Sequence, residues 1–315
     1  MPRRILFIGG TGPLGQAAVP RLLEAGHEVA LAHSGHHEAP RLEKLEHLHG
    51  ERAELLAPGG PAESWRAEVL VDTFAGGATA GKAQELAQLA RRSNARQVVA
   101  VSSIDVYRHC ADAGVDDHPT AELARDPLPL IEDAPKRDET SKTHDNVAME
   151  AELTGAPRIT ILRPGAIYGP YANDRVLREW YLVGRVARGE RSLPLPDGGT
   201  QLFHRVALDR VGRAVAAAVD RAPDGRFAAN AADPRDFTYG ALAALVAGRL
   251  GWEWEIDPVP WASCDHPWNV RHPVIADITR LQEVLGVREP DPVQATLAQI
   301  DWLWENRAEL AQRPG

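Results

Sequence analysis

The chain has 315 residues, 44% hydrophobic and 25% charged, an ordinary globular composition that excludes disordered, collagenous and coiled-coil architectures. Its net charge is −9 and its 35 basic residues are dispersed, so no nucleic-acid groove that depends on phosphate neutralisation is expected. Cys110 and Cys264 are the only cysteines, too few for a disulfide scaffold and without paired zinc-site spacing, which points to a reducing compartment.

The N-terminal Met1-Pro2-Arg3-Arg4 precedes only the short apolar run Ile5 to Ile8. That run is too short for a signal peptide, and no later run approaches the ~20 apolar residues of a membrane span, so a cytoplasmic protein without a membrane partner is expected. Ile5 to Ile8, a helix from about Pro13 to Ala25 and Val29 to Ala32 form a βαβ opening. Strands are predicted at Val69 to Phe74, Gln97 to Ser102 and Ile159 to Leu162, with helices near Lys82 to Arg92 and Val147 to Leu153. Strands alternating with helices predict an α/β fold built on a doubly wound, mostly parallel sheet. Between them, 112–146 is rich in Pro, Asp and Glu without apolar periodicity and reads as one long loop.

Beyond Pro170 the pattern predicts a helix near Arg175 to Arg188, a loop from Leu193 to Gly199, and a strand and helix from Phe203 to Arg221. Val211, Val215 and Val219 share one face of that helix. A further helix, Tyr239 to Leu250, ends at a capping Gly251, and the tail offers helices near Ile278 to Leu285 and Val293 to Leu310. Trp252, Trp254, Trp261, Trp268, Trp302 and Trp304 all fall in this last part and suggest an apolar cluster of its own.

The sharpest motif is Gly9-Gly10-Thr11-Gly12-Pro13-Leu14-Gly15, a GxxGxxG between the first strand and a helix. There the first glycine permits a tight turn, the second lets a pyrophosphate approach the backbone, and the third lets helix and strand pack closely. Gly9, Thr11, Gly12, Pro13, Leu14 and Gly15 are therefore candidate dinucleotide contacts.

Two longer segments are more specific. Val101-Ser102-Ser103-Ile104-Asp105-Val106-Tyr107 and Leu162-Arg163-Pro164-Gly165-Ala166-Ile167-Tyr168-Gly169-Pro170 resemble the SSxxVY and LRPxxVYGP segments of the extended short-chain dehydrogenase/reductases, also called the NAD-dependent epimerase/dehydratase family. The stretch Phe203 to Val211 and the terminal Leu285-Gly286 are similar to further segments of that family. The resemblance implies a Rossmann domain over 1–167 with a return segment 201–232, and a smaller substrate domain from 168–200 and 233–315. It also implies hydride exchange between a nicotinamide and a hydroxyl or carbonyl carbon of a small metabolite such as a sugar derivative, and it allows a homodimer that this sequence itself does not reveal.

Such enzymes ordinarily use a Tyr-x-x-x-Lys pair, because a neighbouring ammonium lowers the phenol pKa toward neutrality. The expected window, Thr140 to Leu153, contains no tyrosine. Tyr171 and Tyr181 each have an arginine four residues on, but they follow the LRPxxVYGP-like segment and read as helix residues of the substrate domain. By resemblance Ser103 takes the polarising role, and Tyr107, Lys142 or His144 is left to move the proton. The alternative is a catalytically silent member that binds a nicotinamide cofactor as a sensor or partner protein.

Strand two ends in His33-Ser34-Gly35-His36-His37 with no acid to accept from a ribose 2′-hydroxyl, which leans the expected cofactor to NADP(H) over NAD(H), with His33, Ser34 and Arg41 near the phosphate. Glu51, in a Gly50-Glu51 pair, resembles the family carboxylate that meets adenine. Phe74 and Ala75 follow a strand where family members pass the cofactor's backbone, and Pro164, Ala166 and Ile167 of the LRPxxVYGP-like segment are further candidate cofactor contacts. Tyr168, His204 and Arg205 are candidate substrate contacts from motif position. No metal is expected from the histidines at 33, 36, 37, 47 and 49, since their loop brings only Glu38 as a carboxylate.

Overall fold

Ile5 to Ile8 is buried on both faces, which is why it reads as a continuous apolar run instead of an alternating one. Ile5 and Phe7 join a cluster with Val19 and Leu22 of the helix Pro13–Glu24 and with Val215 and Val219 of the helix Leu208–Arg221. Leu6 and Ile8 join a second cluster with Leu86 and Leu89 of the helix Ala80–Ser93 and Met149 of the helix Asn146–Glu152. The computed structural model describes residues 1–74, 77–113, 124–138, 145–170, 177–263, 266–267 and 270–312.

The strands are β1 (Arg4–Ile8), β2 (Glu28–His33), β3 (Glu46–His49), β4 (Val69–Asp72), β5 (Gln97–Val101), β6 (Arg158–Pro164), β7 (Ala166–Tyr168), β8 (Ser192–Pro196), β9 (Arg205–Ala207), β10 (Gly225–Ala231) and β11 (Glu255–Val259). Seven of them form one parallel sheet in the order β10-β6-β5-β4-β1-β2-β3. The order reverses direction between β1 and β4, so the carboxyl ends of β1, β2, β4 and β5 share one edge around that switch point. This is the doubly wound, Rossmann-like α/β sheet expected from the sequence.

β8 pairs with β11 and β7 with β9 in two small parallel sheets. Leu193, which the sequence suggested lay in a loop, is a buried residue of β8. A third apolar cluster gathers Leu182 and Val183, Tyr239 and Val246, and Ile300 and Leu303 from the helices Trp180–Ala187, Tyr239–Leu250 and Pro292–Glu305. Trp252, Trp254, Trp302 and Trp304 pack against it as expected. The last predicted helix breaks at Asn306 into Pro292–Glu305 and Arg307–Leu310. Gly251 ends its helix in the left-handed conformation, with φ 64°.

The stretch read as one long loop is only partly that. Leu130 is wholly buried and its amide donates to the Ile275 carbonyl, while Arg137 pairs with Asp105 at 2.8 Å in the interior. Segment 124–138 is thus a strap laid across the protein and fastened by buried polar bonds.

Candidate functional site

Gly9 takes φ 77°, a left-handed turn that a side chain would strain, and its amide donates to the Ala32 carbonyl at the end of β2. The chain then reverses into the helix Pro13–Glu24, whose first position is Pro13, preorganised for the helix and lacking an amide to satisfy. Gly12 caps this helix without any side-chain hydrogen bond, and a β-carbon there would meet nothing nearer than the Gly9 carbonyl oxygen at 3.7 Å. Backbone amides and the positive end of the helix dipole thus face open space, which is an anion-binding arrangement.

That space is a cleft of about 540 Å³ lined by Gly9, Thr11, Gly12 and Pro13 at one end and by Ser34, Glu38 and Glu51 at the other. His33, His37 and Arg52 also line it. Among the predicted cofactor residues, Gly9, Thr11, Gly12, Pro13, His33, Ser34 and Glu51 are brought together there. Leu14 instead packs against the sheet core, and Gly15 supports the turn from beneath. Phe74 follows β4 at the same sheet edge but is buried, with φ 49° and its amide on the Asp72 carboxylate. Ala75, Lys142 and His144 lie outside the described residues. Pro164 ends β6, and Ala166 and Ile167 form β7 paired with β9.

Ser103 follows β5 at the carboxyl edge and is half-buried. Its hydroxyl accepts the Asp105 amide at 3.1 Å, so its own proton stays available for donation to a ligand oxygen. Its neighbour Ser102 faces inward and donates to Glu150 at 2.8 Å.

Tyr107 departs from its expected role. It is wholly buried, its phenol donates to Asn230 at 2.6 Å and accepts from Arg163 at 2.9 Å. Burial pushes its pKa up to about 12 against the opposing pull of Arg163, the wrong direction for a general base. Arg163 in turn makes two bonds of 2.9 and 2.8 Å to the Glu150 carboxylate, which also accepts from Lys136 at 2.6 Å. Tyr107 is therefore one member of a buried polar network that ties β5, β6 and the helix Asn146–Glu152 together.

The three expected substrate contacts are likewise interior. Tyr168 donates to Asp233 at 2.6 Å, and burial together with that carboxylate raises its pKa. His204 has one ring nitrogen 2.7 Å from the Asp233 carbonyl and accepts the Ala276 amide on the other, with burial lowering its pKa. Arg205 pairs with Glu179 and Asp236 at 2.9 and 2.7 Å and is 1% exposed. All three brace β7 and β9; Tyr168 and Arg205 are sealed in the interior, and His204, with both ring nitrogens engaged, only edges a cavity beside Asp233 and Asp236.

At the β2 end, the sequence missed a relationship between strands. β3 brings His47 and His49 beside His33: His33 Nε2 lies 2.8 Å from His47 Nδ1, and His49 Nε2 lies 3.1 Å from Glu38. Burial lowers the His33 pKa, with Glu38 opposing and the other two histidines assisting. Arg41, expected near a ribose phosphate, lines a separate cavity with Pro20 and Pro290.

No protein-family model and no curated protein matches the sequence. Solved structures match along nearly the whole chain. MoeE5 in complex with UDP-glucose and NAD has a TM-score of 0.70 at 18% identity, covering 97% of this chain and 99% of that one. UDP-glucose 4-epimerase from Thermotoga maritima, with UDP-glucose, has a TM-score of 0.73 at 18% identity over 96% and 99% of the two chains. The Bordetella bronchiseptica enzyme WbmG, in complex with NAD and UDP, has a TM-score of 0.71 at 16% identity over 97% and 96%.

The nicotinamide in MoeE5 and WbmG is NAD, which overturns the NADP(H) expectation. The physical reason lies with the basic residues: Arg41, expected near a 2′-phosphate, lines a separate cavity, and Arg52, which does line the cleft, is paired with Asp72 and Glu85. No described helix is long and apolar enough to cross a membrane. At these identities the likeness is one of fold: the chain shares the Rossmann-like fold of these three structures over nearly its whole length.

Proposed function

We propose that the protein is an NAD(H)-binding enzyme of the epimerase or dehydratase kind, acting on a hydroxyl or carbonyl group of a small metabolite, with a nucleotide sugar as the favoured class. The observation that carries this reading is the glycine turn at the switch point, with Gly12 uncovered at a helix N-terminus and opening onto the 540 Å³ cleft. The nucleotide-sugar class is supported by the UDP-glucose held by MoeE5 and by the Thermotoga maritima epimerase.

Bound NAD supplies hydride exchange with a substrate carbon. The chain's own contribution begins with the helix amides, which hold the pyrophosphate, and with Glu51 and Ser34 at the adenosine end. Ser103 donates its hydroxyl proton to the reacting substrate oxygen and so favours charge build-up there. Proton transfer falls to Lys142 or His144, because the buried Tyr107 phenol is held protonated. Histidine needs no tuning for this at neutral pH.

The lack of a Tyr-x-x-x-Lys pair supports a second reading, a cofactor-binding protein without turnover. The test is to measure NAD in the supernatant of the denatured protein by mass spectrometry, then incubate the holoprotein with UDP-glucose and follow the sugar by NMR. Conversion that is lost in Ser103→Ala supports the enzyme. Bound NAD without conversion of any nucleotide sugar supports the silent reading, and absence of NAD binding defeats both.

A further inference from the structure

His33, Glu38, His47 and His49 bring four potential ligand atoms within 4.8 Å of one another beside the cleft. Strand geometry does this. Alternation puts His47 and His49 on one face of β3, and the β2–β3 register sets His33 directly opposite His49. Glu38 arrives from the connection between the two strands.

The separations, all within 4.8 Å, bracket those of a coordination sphere. His33 Nε2 to His47 Nδ1 is 2.8 Å, Glu38 to His49 Nε2 is 3.1 Å, and Glu38 to His47 Nδ1 is 3.6 Å. A tetrahedral ion with bonds of about 2.0–2.1 Å holds its ligand atoms about 3.3 Å apart.

A second observation concerns the far side of His47. Its Nε2 lies 3.0 Å from the Leu42 carbonyl, which can only accept, so Nε2 carries the proton and Nδ1 presents a lone pair to the cluster. A backbone carbonyl that fixes the tautomer in this way is the usual outer support of a metal-bound imidazole. At His33 the Gly35 amide donates to Nδ1 at 3.2 Å, which leaves the Nε2 proton pointing at His47 Nδ1. An ion bound by both nitrogens would have to displace that proton.

We propose that these four residues form a site for a divalent transition-metal ion of the zinc class. Three imidazole nitrogens and one carboxylate oxygen suit such an ion, whereas magnesium and calcium require mostly oxygen. On binding, His33 moves its proton to Nδ1 and gives up the Gly35 amide bond, while the Glu38 charge offsets part of the ion's. The ion clamps the 34–45 connection to the ends of β2 and β3, and so fixes the wall of the cleft that His33, Ser34 and Glu38 form.

The test uses the full chain stripped with a chelator and dialysed against zinc alone, and then cobalt alone, without any nucleotide. The expected result is one zinc per chain and an intense visible cobalt spectrum of tetrahedral type. Affinity should fall by at least about 10–100-fold, the loss that even an outer partner causes, in His49→Ala and in Glu38→Gln. Both side chains are more than half exposed, so the fold should survive, as circular dichroism will verify. The double variant His36→Ala/His37→Ala should bind as the parent does. Failure to bind zinc stoichiometrically, binding that survives His49→Ala and Glu38→Gln, or loss of binding in the 36/37 variant would each overturn the proposal.

Discussion

Gly15 lies so close to Gly10 that a β-carbon at position 15 would sit 1.9 Å from the Gly10 carbonyl oxygen. The contact is with backbone, so no side chain can yield. Gly15→Ala should therefore push the helix Pro13–Glu24 off β1 and cost about 1–3 kcal/mol or more, as overpacking does. Thermal unfolding of the variant against the parent measures it. An unchanged midpoint would mean that the turn is looser than described.

Arg163 and Glu150 form the buried pair at the centre of the polar network, 4% and 0% exposed at their side chains. Arg163→Met leaves Glu150 with only Lys136 and the Ser102 hydroxyl as side-chain partners and should destabilise by about 3–5 kcal/mol in urea unfolding. Burial alone would raise the Glu150 pKa, but the hydrogen bonds and charges of Arg163 and Lys136 outweigh it and hold the carboxyl below its ordinary 4.5. A depressed folded-state pKa contributes stability in full above the unfolded value, and that stability is lost as pH falls through the folded value. The parent should thus lose stability below pH 4.5 more steeply than Glu150→Gln. Parallel slopes would remove the network from the acid limb.

Tyr107→Phe separates a structural phenol from a catalytic one. Removing bonds to Asn230 and Arg163 should cost about 1–3 kcal/mol of stability. The pH profile of turnover between about 6 and 9 should stay as it is, because a group held near 12 does not titrate there. A displaced profile at unchanged stability would return Tyr107 to the chemistry.

Ser103→Ala removes the acceptor for the Asp105 amide, a cap worth about 1 kcal/mol on the half-exposed edge. Its effect on kcat should be larger, about 100-fold, with little change in KM, as for loss of one donor to a developing oxyanion. Steady-state kinetics on the substrate found for the parent check this. A rise in KM at constant kcat would assign Ser103 to ground-state binding only.

The sequence made the central sheet legible because the interiors of β1, β4 and β5 are continuous apolar runs, as strands covered on both faces tend to be, while β6 still shows Ile159, Ile161 and Leu162 around a buried Thr160. β3 escaped notice because Glu46-His47-Leu48-His49 is a short polar edge strand with a partner on one side only. β10 escaped because its buried residues include the small Ala229 and Ala231, which carry little strand preference of their own. The glycine loop was readable since backbone geometry dictates glycine at 9 and 15. Tyr107, Tyr168, His204 and Arg205 were misassigned because motif position fixes a place along the chain but not the partners. Glu179 and Asp236, which hold Arg205, are distant in sequence, as is Asn230 from Tyr107. His33, His47, His49 and Glu38 were visible as residues and set aside as a metal set, because their convergence depends on the register of the strand that was missed.

The most direct test of the dinucleotide cleft is calorimetric titration of the purified, nucleotide-free protein with NAD and with NADP, repeated on Gly12→Val. A valine there meets no protein atom that its β-carbon must displace, so the fold should persist while the approach of a pyrophosphate is blocked. The parent should bind one NAD per chain and NADP more weakly, and the folded variant should lose at least about a tenfold in NAD affinity, or 1.4 kcal/mol. No binding of NAD by the parent, or binding indifferent to Gly12→Val, would contradict a dinucleotide site at this cleft.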